Sequence, residues 1–153
     1  MHDLLQNLYL FRQLDQDALN DIGAISTLKH YAEGDEIFRQ GTAAESLFVI
    51  QHGIVTIEQE LSDKSRMDVA TLATGSHFGE IAFLDNQPRS GTAIATTEAD
   101  IVEIRYDDLR NLLGHNEKLA IHFYRELARF LSSRLRLTTL DLSFSKSQNI
   151  SHF

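Results

Sequence analysis

Short segments rich in β-forming residues, separated by glycines, fill residues 25–105, whereas apolar residues recur at helical spacing before and after this range. Strands place alternate side chains on opposite faces, and helices bring together side chains three or four positions apart. Glycine accommodates the tight turns that connect short strands. The pattern therefore predicts a β-rich centre with helices at both ends.

The first 23 residues are predicted to form a small helical lead-in. Leucines and aromatic residues at helical spacing occupy residues 3–13. Either Asp15 or Asp17 can accept a hydrogen bond from the free amides at the start of a second helix. Gly23 is expected to end that helix, because glycine readily adopts the left-handed conformation of a C-terminal cap.

The central region is predicted to contain short, closely spaced strands. Residues 54–61 place Val55 and Ile57 on one face and Glu58 and Glu60 on the other, which is typical of an antiparallel strand with one buried face. The other predicted strands are residues 26–31, 36–39, 46–51, 67–73, 92–96 and 101–105. Seven or eight such strands beside helices predict an α+β fold, an eight-stranded antiparallel β-jelly-roll barrel over residues 25–105.

Helical spacing returns after residue 105. Asp107 can cap a short helix, a hinge, that we expect to end at Gly114, and Asn116 can cap a long helix with Glu117 in its first turn. If the long helix runs to about Leu140, it is on the order of 37 Å long. Residues 143–153 are predicted to be a polar, frayed tail.

The chain has 153 residues, which suits one domain with its own core, and we expect it to span residues 1–142. The formal net charge of −8 argues against nucleic-acid binding, since phosphate backbones favour clustered lysine and arginine. The absence of cysteine excludes disulfides and thiolate metal sites. No apolar segment approaches the ~20 residues that cross a bilayer, and the N-terminus is unlike a signal peptide, so we expect a cytoplasmic protein without membrane contact.

The candidate chemistry lies in residues 78–92, hereafter the cassette. A short helix after Glu80 leaves its first amides unpaired, which favours an anion. Arg89 offers a planar fork that fits a phosphate through two parallel hydrogen bonds. An ionised Glu80 can only accept hydrogen bonds, so beside a phosphate its natural partner is a hydroxyl. Anion donors, a hydroxyl acceptor and an arginine together indicate a sugar phosphate.

The cassette resembles the phosphate-binding cassette of cyclic nucleotide-binding domains. That family has Phe-Gly-Glu-aliphatic-Ala, a few variable residues, and then Pro-Arg-x-small-Thr. Here the two parts are residues 78–82 and 88–92, and the glycines at 34, 41 and 53 also match turn positions of the family. The resemblance covers roughly residues 14–140. One departure is Gly91, where the family usually has alanine; we expect it to loosen the end of the cassette without removing a binding group.

The resemblance implies a role for each matching residue. Glu80 would accept from the ribose 2′-hydroxyl, Arg89 would pair with the cyclic phosphate, and Gly79 would lie against the ribose. Backbone amides near Ala82 and the amide or hydroxyl of Ser90 would complete the anion site. The residues expected to bind the ligand are Gly79, Glu80, Ile81, Ala82, Arg89 and Ser90. A hydroxyl at Ser90 can also touch a guanine edge, which leaves the choice between cAMP and cGMP open.

Alternatives accompany each of these interpretations. Glu80 and Arg89 could instead form a structural ion pair beneath a turn. Phe123, Tyr124 and Arg129 of the long helix could cover the base, or could be core or dimer contacts. The seven histidines show no ligand spacing, and the chain lacks the paired histidines of a cupin metal site, so no metal is expected. No catalytic arrangement is apparent either.

The resemblance therefore predicts a non-enzymatic cyclic nucleotide sensor. Ligand binding is expected to repack the hinge at residues 106–114 and to shift the long helix between two positions. The sequence ends soon after that helix, so we expect the output to be a protein partner or a homodimer contact made through it. The alternative is a degenerate domain that keeps the fold, has lost its ligand and serves as an interaction module.

Overall fold

The computed structural model describes the backbone of residues 9–151 and the side chains of residues 10–140. A 3-10 turn at Tyr9–Phe11 precedes the helices of this range, which are α1 (Gln16–Ala24), α2 (Ile81–Asp85), α3 (Tyr106–His115) and α4 (Glu117–Ser151). The strands are β1 (Ser26–Tyr31), β2 (Glu36–Phe38), β3 (Ser46–His52), β4 (Val55–Glu60), β5 (Arg66–Leu72), β6 (His77–Phe78), β7 (Thr92–Ala95) and β8 (Ala99–Arg105).

The strands form two four-stranded antiparallel sheets, in the orders β1-β8-β3-β6 and β2-β7-β4-β5. The predicted α+β class and the eight antiparallel strands are thus confirmed, whereas closure of the two sheets into a barrel stays a prediction. Sequence patterning missed β6, a two-residue strand that pairs with β3 through Val49 and Phe48. This pairing places the start of the cassette at the edge of the first sheet.

The core has two parts, one on each side of β3. Leu47 and Val49 face the helices, while Phe48 and Ile50 face the second sheet. Successive side chains of a strand point to opposite faces, so β3 is buried on both. The part between the sheets includes the ring pair of Phe48 and Phe78, whose centroids are 5.1 Å apart. This stacking anchors the first residue of the cassette.

The long helix α4 packs against the outer face of the first sheet and against α2. Phe123 of α4 is buried, and its ring lies 6.1 Å from that of Phe11 and 5.8 Å from that of Phe83 in α2. Because α2 belongs to the cassette, this contact joins α4 to the candidate site.

Within residues 9–151, no helix is long and apolar enough to cross a membrane.

Two of the three predicted side-chain caps are present. The Ala18 N–H donates to Asp15 Oδ1 at 2.8 Å, at the start of α1. The Leu119 N–H donates to Asn116 Oδ1 at 3.0 Å, at the start of α4. Each bond satisfies an amide that the helix itself leaves unpaired.

Several predicted helix ends are wrong. Gly23 lies inside α1, which ends at Ala24, and Gly114 lies inside α3, which ends at His115. Asp107 is in the first turn of α3 and does not cap it. The helix starts at Tyr106, whose N–H donates to the Glu45 carbonyl at 2.8 Å, so an amide that the helix leaves unpaired is satisfied by a distant residue.

The long helix extends past its predicted end near residue 140 and remains helical through Ser151. The sequence contains no glycine or proline after Gly114, and polar composition alone does not end a helix. The prediction of a frayed tail over residues 143–151 is therefore wrong. The lead-in helix predicted at residues 3–13 lies mostly outside the described residues, and its described part contains the 3-10 turn.

Candidate functional site

A cavity of about 230 Å³ lies behind the cassette. The residues predicted to bind ligand all line it: Gly79, Glu80, Ile81, Ala82, Arg89 and Ser90. Strands β4 and β5 contribute Ile57 and Leu72, and the long helix contributes Arg134. The structure therefore brings the predicted residues together around one space, while their roles toward a ligand stay predictions.

Gly79 allows the two ends of the cassette to approach each other. Its φ is +85°, and a Cβ built on it would lie 2.9 Å from Arg89 Nη1 and 3.0 Å from the Ser46 carbonyl oxygen. A side chain here would clash with the guanidinium and would strain the backbone. Glycine is thus required where β6 turns into α2, beside the arginine that the sequence predicts for phosphate binding.

Groups from four distant positions in the chain contact Arg89 and fix its place. Its side chain is buried, Nη2 donates to the Ser46 carbonyl at 2.7 Å, and Nη1 donates to the Tyr106 hydroxyl at 3.3 Å. Its Cζ lies 4.0 Å from the centroid of the Phe38 ring, a cation–π contact. The backbone is fixed as well, since the Arg89 N–H donates to the Thr42 carbonyl at 2.9 Å.

Among residues 10–140, Arg89 makes no ion pair with a carboxylate, and its buried Nε–H has no hydrogen-bond partner. Glu80 instead lies beside His77, with 3.4 Å between Glu80 Oε2 and His77 Nδ1. The structural ion pair between Glu80 and Arg89 is therefore not formed in this structure. A buried cation without a counter-ion is costly unless an anion comes to it.

Tyr106 links the cassette to the start of α3. Its hydroxyl donates to the Gly79 carbonyl and accepts from Arg89 Nη1. Burial raises the pKa of Tyr106, although the Arg89 guanidinium opposes that shift, so the hydroxyl is protonated at neutral pH. Sequence reasoning placed Tyr106 at a hinge but did not identify it as part of the site. An aromatic residue at a strand–helix junction carries no local signal of such a contact.

The structure decides between the alternatives given for three residues of α4. Phe123 is buried in the core, Tyr124 is 44% exposed, and the exposed Arg129 pairs with Glu126 at 3.1 Å. None of the three lines the cavity as described. Arg134 lines it, and its Cζ lies 5.1 Å from the Phe130 ring centroid.

Gly91 tightens the cassette, contrary to the expectation that it would loosen it. A Cβ built on Gly91 would lie 2.8 Å from the Glu58 carbonyl oxygen and 3.0 Å from Ile57 Cγ2. The absence of a side chain therefore lets the cassette pack directly on the backbone of β4.

Within the described residues, no group of three or more histidine or acidic side chains is placed to hold a metal ion.

Residues 28–116 match the sequence model of the family described as cyclic nucleotide-binding domain. Glutaminase 2 of Bradyrhizobium diazoefficiens is 32% identical over 126 residues, which are 82% of this chain and 19% of that protein. The cGMP-dependent protein kinase, isozyme 1, of Drosophila melanogaster is 30% identical over 135 residues, 86% of this chain and 18% of the kinase. This chain thus spans about a fifth of the length of these two relatives.

Among solved structures, the regulatory domain of Toxoplasma gondii PKA in complex with cAMP is similar in fold. It superposes with a TM-score of 0.68 at 26% sequence identity, over 72% of this chain and 42% of that chain.

Proposed function

Because this chain belongs to the family of cyclic nucleotide-binding domains, we propose that it binds cAMP or cGMP in the cavity behind the cassette and acts as a non-enzymatic regulatory domain. The proposal places a small, singly charged sugar phosphate between the cassette and strands β4 and β5. The expectations of a single domain over residues 1–142 and of a cytoplasmic location stay predictions.

The observation that carries this proposal is the buried Arg89 side chain, which is 6% exposed and makes no ion pair among the described residues. Its Nη2 is occupied by Ser46, whereas its buried Nε–H has no hydrogen-bond partner in that part of the chain. A cyclic phosphate would supply both the missing negative charge and an acceptor for the N–H group. We assign Ser90 and the amides near Ala82 to the remaining phosphate oxygens.

The sugar is assigned to the other end of the cassette. Glu80 is 7% exposed, lines the cavity, and stands three residues from the buried His77. Its carboxylate is proposed to accept from the ribose 2′-hydroxyl, because an ionised carboxylate has no proton of its own to donate. Gly79, which has no side chain, leaves space for the ribose next to the backbone, and Ile81 contributes through its backbone at the start of α2.

The base is proposed to lie against the apolar wall formed by Ile57 and Leu72, with Arg134 of α4 near it. Ser90 is exposed at the cavity and is the residue proposed to distinguish the bases. Both nucleotides are represented among the similar proteins, one a cGMP-dependent kinase and the other a kinase regulatory domain with cAMP. The proposal therefore covers cAMP and cGMP.

The signal is proposed to leave the domain through α4. This helix contacts the cassette through Phe123 and the cavity through Arg134. Beyond the cavity it carries exposed leucines, Leu135, Leu137 and Leu140, which fit a protein partner or a second copy of the chain. A ligand shifts the position of α4 only by its difference in affinity for the two positions.

Isothermal titration of cAMP and cGMP into the purified chain tests the proposal, with 5′-AMP as a control of similar size but with an open phosphate. We expect saturable heat with at least one cyclic nucleotide and weaker binding of 5′-AMP. The absence of heat and of any thermal shift with either cyclic nucleotide at millimolar concentration would contradict the proposal. That result would favour an interaction module that has lost its ligand.

A further inference from the structure

His77 lies between the two parts of the molecule that a regulatory domain must connect. It is the first residue of β6, its side chain is 3% exposed, and it lines the cavity. Its backbone is fixed by pairing with Val49 of the central strand β3. A buried histidine on such a short strand has little freedom to move independently of its surroundings.

On one side, the His77 ring faces the carboxylate proposed to bind ribose. His77 Nδ1 is 3.4 Å from Glu80 Oε2, and both side chains are more than nine-tenths buried. At this separation the two polar groups are in ion-pair contact, and a protonated imidazole is attracted to a carboxylate. This contact restricts the orientation of the Glu80 carboxylate. That carboxylate is the group proposed to accept the hydrogen bond from the ribose hydroxyl.

On its other side, the same ring faces α4. The centroids of the His77 and Phe130 rings are 4.6 Å apart, with 56° between the ring planes. Phe130 in turn lies beside Arg134, the α4 residue at the cavity. Aromatic pairs in this range favour defined orientations, so the position of α4 and the orientation of His77 depend on each other.

We infer that His77 is a positioning residue of the ligand site, which orients the Glu80 carboxylate and docks Phe130 of α4 with the same ring. Occupancy at Glu80 and the position of α4 are then coupled through one side chain. The inference rests on the proposed function and names a contact that connects ligand to helix.

Two substitutions separate the two contacts. His77→Phe keeps an aromatic ring toward Phe130 and removes the ring nitrogen that contacts Glu80, so the affinity for the nucleotide is expected to fall about tenfold or more. His77→Gln keeps a polar N–H group beside Glu80 and removes the ring, so the affinity should stay within about threefold of wild type. Hydrogen exchange should then show lower protection of α4 amides near Phe130 in His77→Gln and unchanged protection in His77→Phe.

The measurements are titration calorimetry with cAMP and cGMP, and hydrogen exchange with and without the nucleotide. In a double-mutant cycle, His77→Phe combined with Glu80→Gln should bind no more weakly than Glu80→Gln alone, because the two changes remove one interaction. Likewise, Phe130→Leu should lower α4 protection in wild type and cause no further loss in His77→Gln. A merely structural role predicts additive losses in both cycles.

The outcomes distinguish this inference from the proposed function. If wild type binds a cyclic nucleotide and His77→Phe binds it equally well, the inference is overturned and the function stands. If wild type binds neither nucleotide, the proposed function is overturned and the inference falls with it. If circular dichroism shows that His77→Phe does not fold, the test is the double-mutant cycle of Phe130→Leu and His77→Gln. Additive losses of hydrogen-exchange protection in α4 would then overturn the inference.

Discussion

Replacing Arg89 by alanine separates the packing of this side chain from its proposed role in binding phosphate. For the folded state, the change removes the bond from Nη2 to the Ser46 carbonyl at 2.7 Å and the stacking on Phe38 at 4.0 Å. A hydrogen bond from a charged donor contributes about 1.5–3 kcal/mol, and a desolvated cation–π contact about 2 kcal/mol. The substitution also removes a buried charge that makes no ion pair among the described residues, which offsets part of the loss.

We therefore expect the free energy of unfolding of Arg89→Ala to fall by about 1–3 kcal/mol, which a domain with a typical 5–15 kcal/mol survives. Affinity should respond more strongly. Loss of one partner of a buried charge pair costs about 2–5 kcal/mol, so the dissociation constant for the cyclic nucleotide should rise roughly 30- to 5,000-fold. Urea denaturation measures the first effect, and titration calorimetry measures the second.

Two further variants make this test specific. Arg39→Ala removes the same charge from a position 70% exposed and outside the cavity, so its affinity should match wild type. Arg89→Lys keeps the charge and loses the fork, so its affinity should lie between those of wild type and Arg89→Ala. If folded Arg89→Ala binds as tightly as wild type, or if Arg39→Ala weakens binding equally, then Arg89 does not bind the phosphate.

Three other changes test the site and the fold. Gly79→Ala should lower nucleotide affinity at least tenfold and lower stability by about 1–3 kcal/mol. Gly34 has a similar positive φ but nothing within 4 Å of an added Cβ, so Gly34→Ala should lower stability alone. Equal effects of the two substitutions on affinity would contradict the reasoning. Glu80→Gln should weaken binding about tenfold in calorimetry, and unchanged affinity would remove Glu80 from the ribose site. The hydrogen bond to Asp100 raises the pKa of His30, and Glu98 contributes to the same shift. His30 therefore stabilises the fold fully below its unfolded pKa of about 6.5, and this stabilisation is lost as the pH rises through the folded pKa. The stability advantage of wild type over His30→Gln in urea should therefore be larger at about pH 5.5 than at about pH 8.5, and a gap that does not change with pH would count against the His30–Asp100 contact.

The cassette was predictable because its chemistry is local in sequence. Gly79, Glu80 and Arg89 lie within one short segment, and their residue types resemble one family, which the match over residues 28–116 confirms. The strands other than β6 were also predictable, since glycine turns and β-forming residues mark them. The family roles of the site residues came from the resemblance, and the chemistry of the residues alone indicated only a sugar phosphate.

The contacts that surround the cassette were not predictable in this way. Tyr106 meets the Gly79 carbonyl, and His77 meets Phe130, across separations that local periodicity does not encode. The same limit applies at the start of α3, where the Tyr106 N–H bonds to the distant Glu45 carbonyl. Helical spacing left Phe123 as either a cover for the base or a core residue, and long-range packing places it in the core.

The length of α4 determines how far its C-terminal end would move for a given tilt of the helix. The helix is held near its beginning by the packing of Phe123 and meets the cavity at Arg134, yet it continues to Ser151, about 25 Å further at 1.5 Å per residue. If α4 transmits the signal as proposed, it would act as a lever that pivots near Phe123. Ser151 lies about 42 Å along the helix from Phe123, so a tilt of about 5° that moves Arg134 by about 1.4 Å would move the far end by roughly 4 Å.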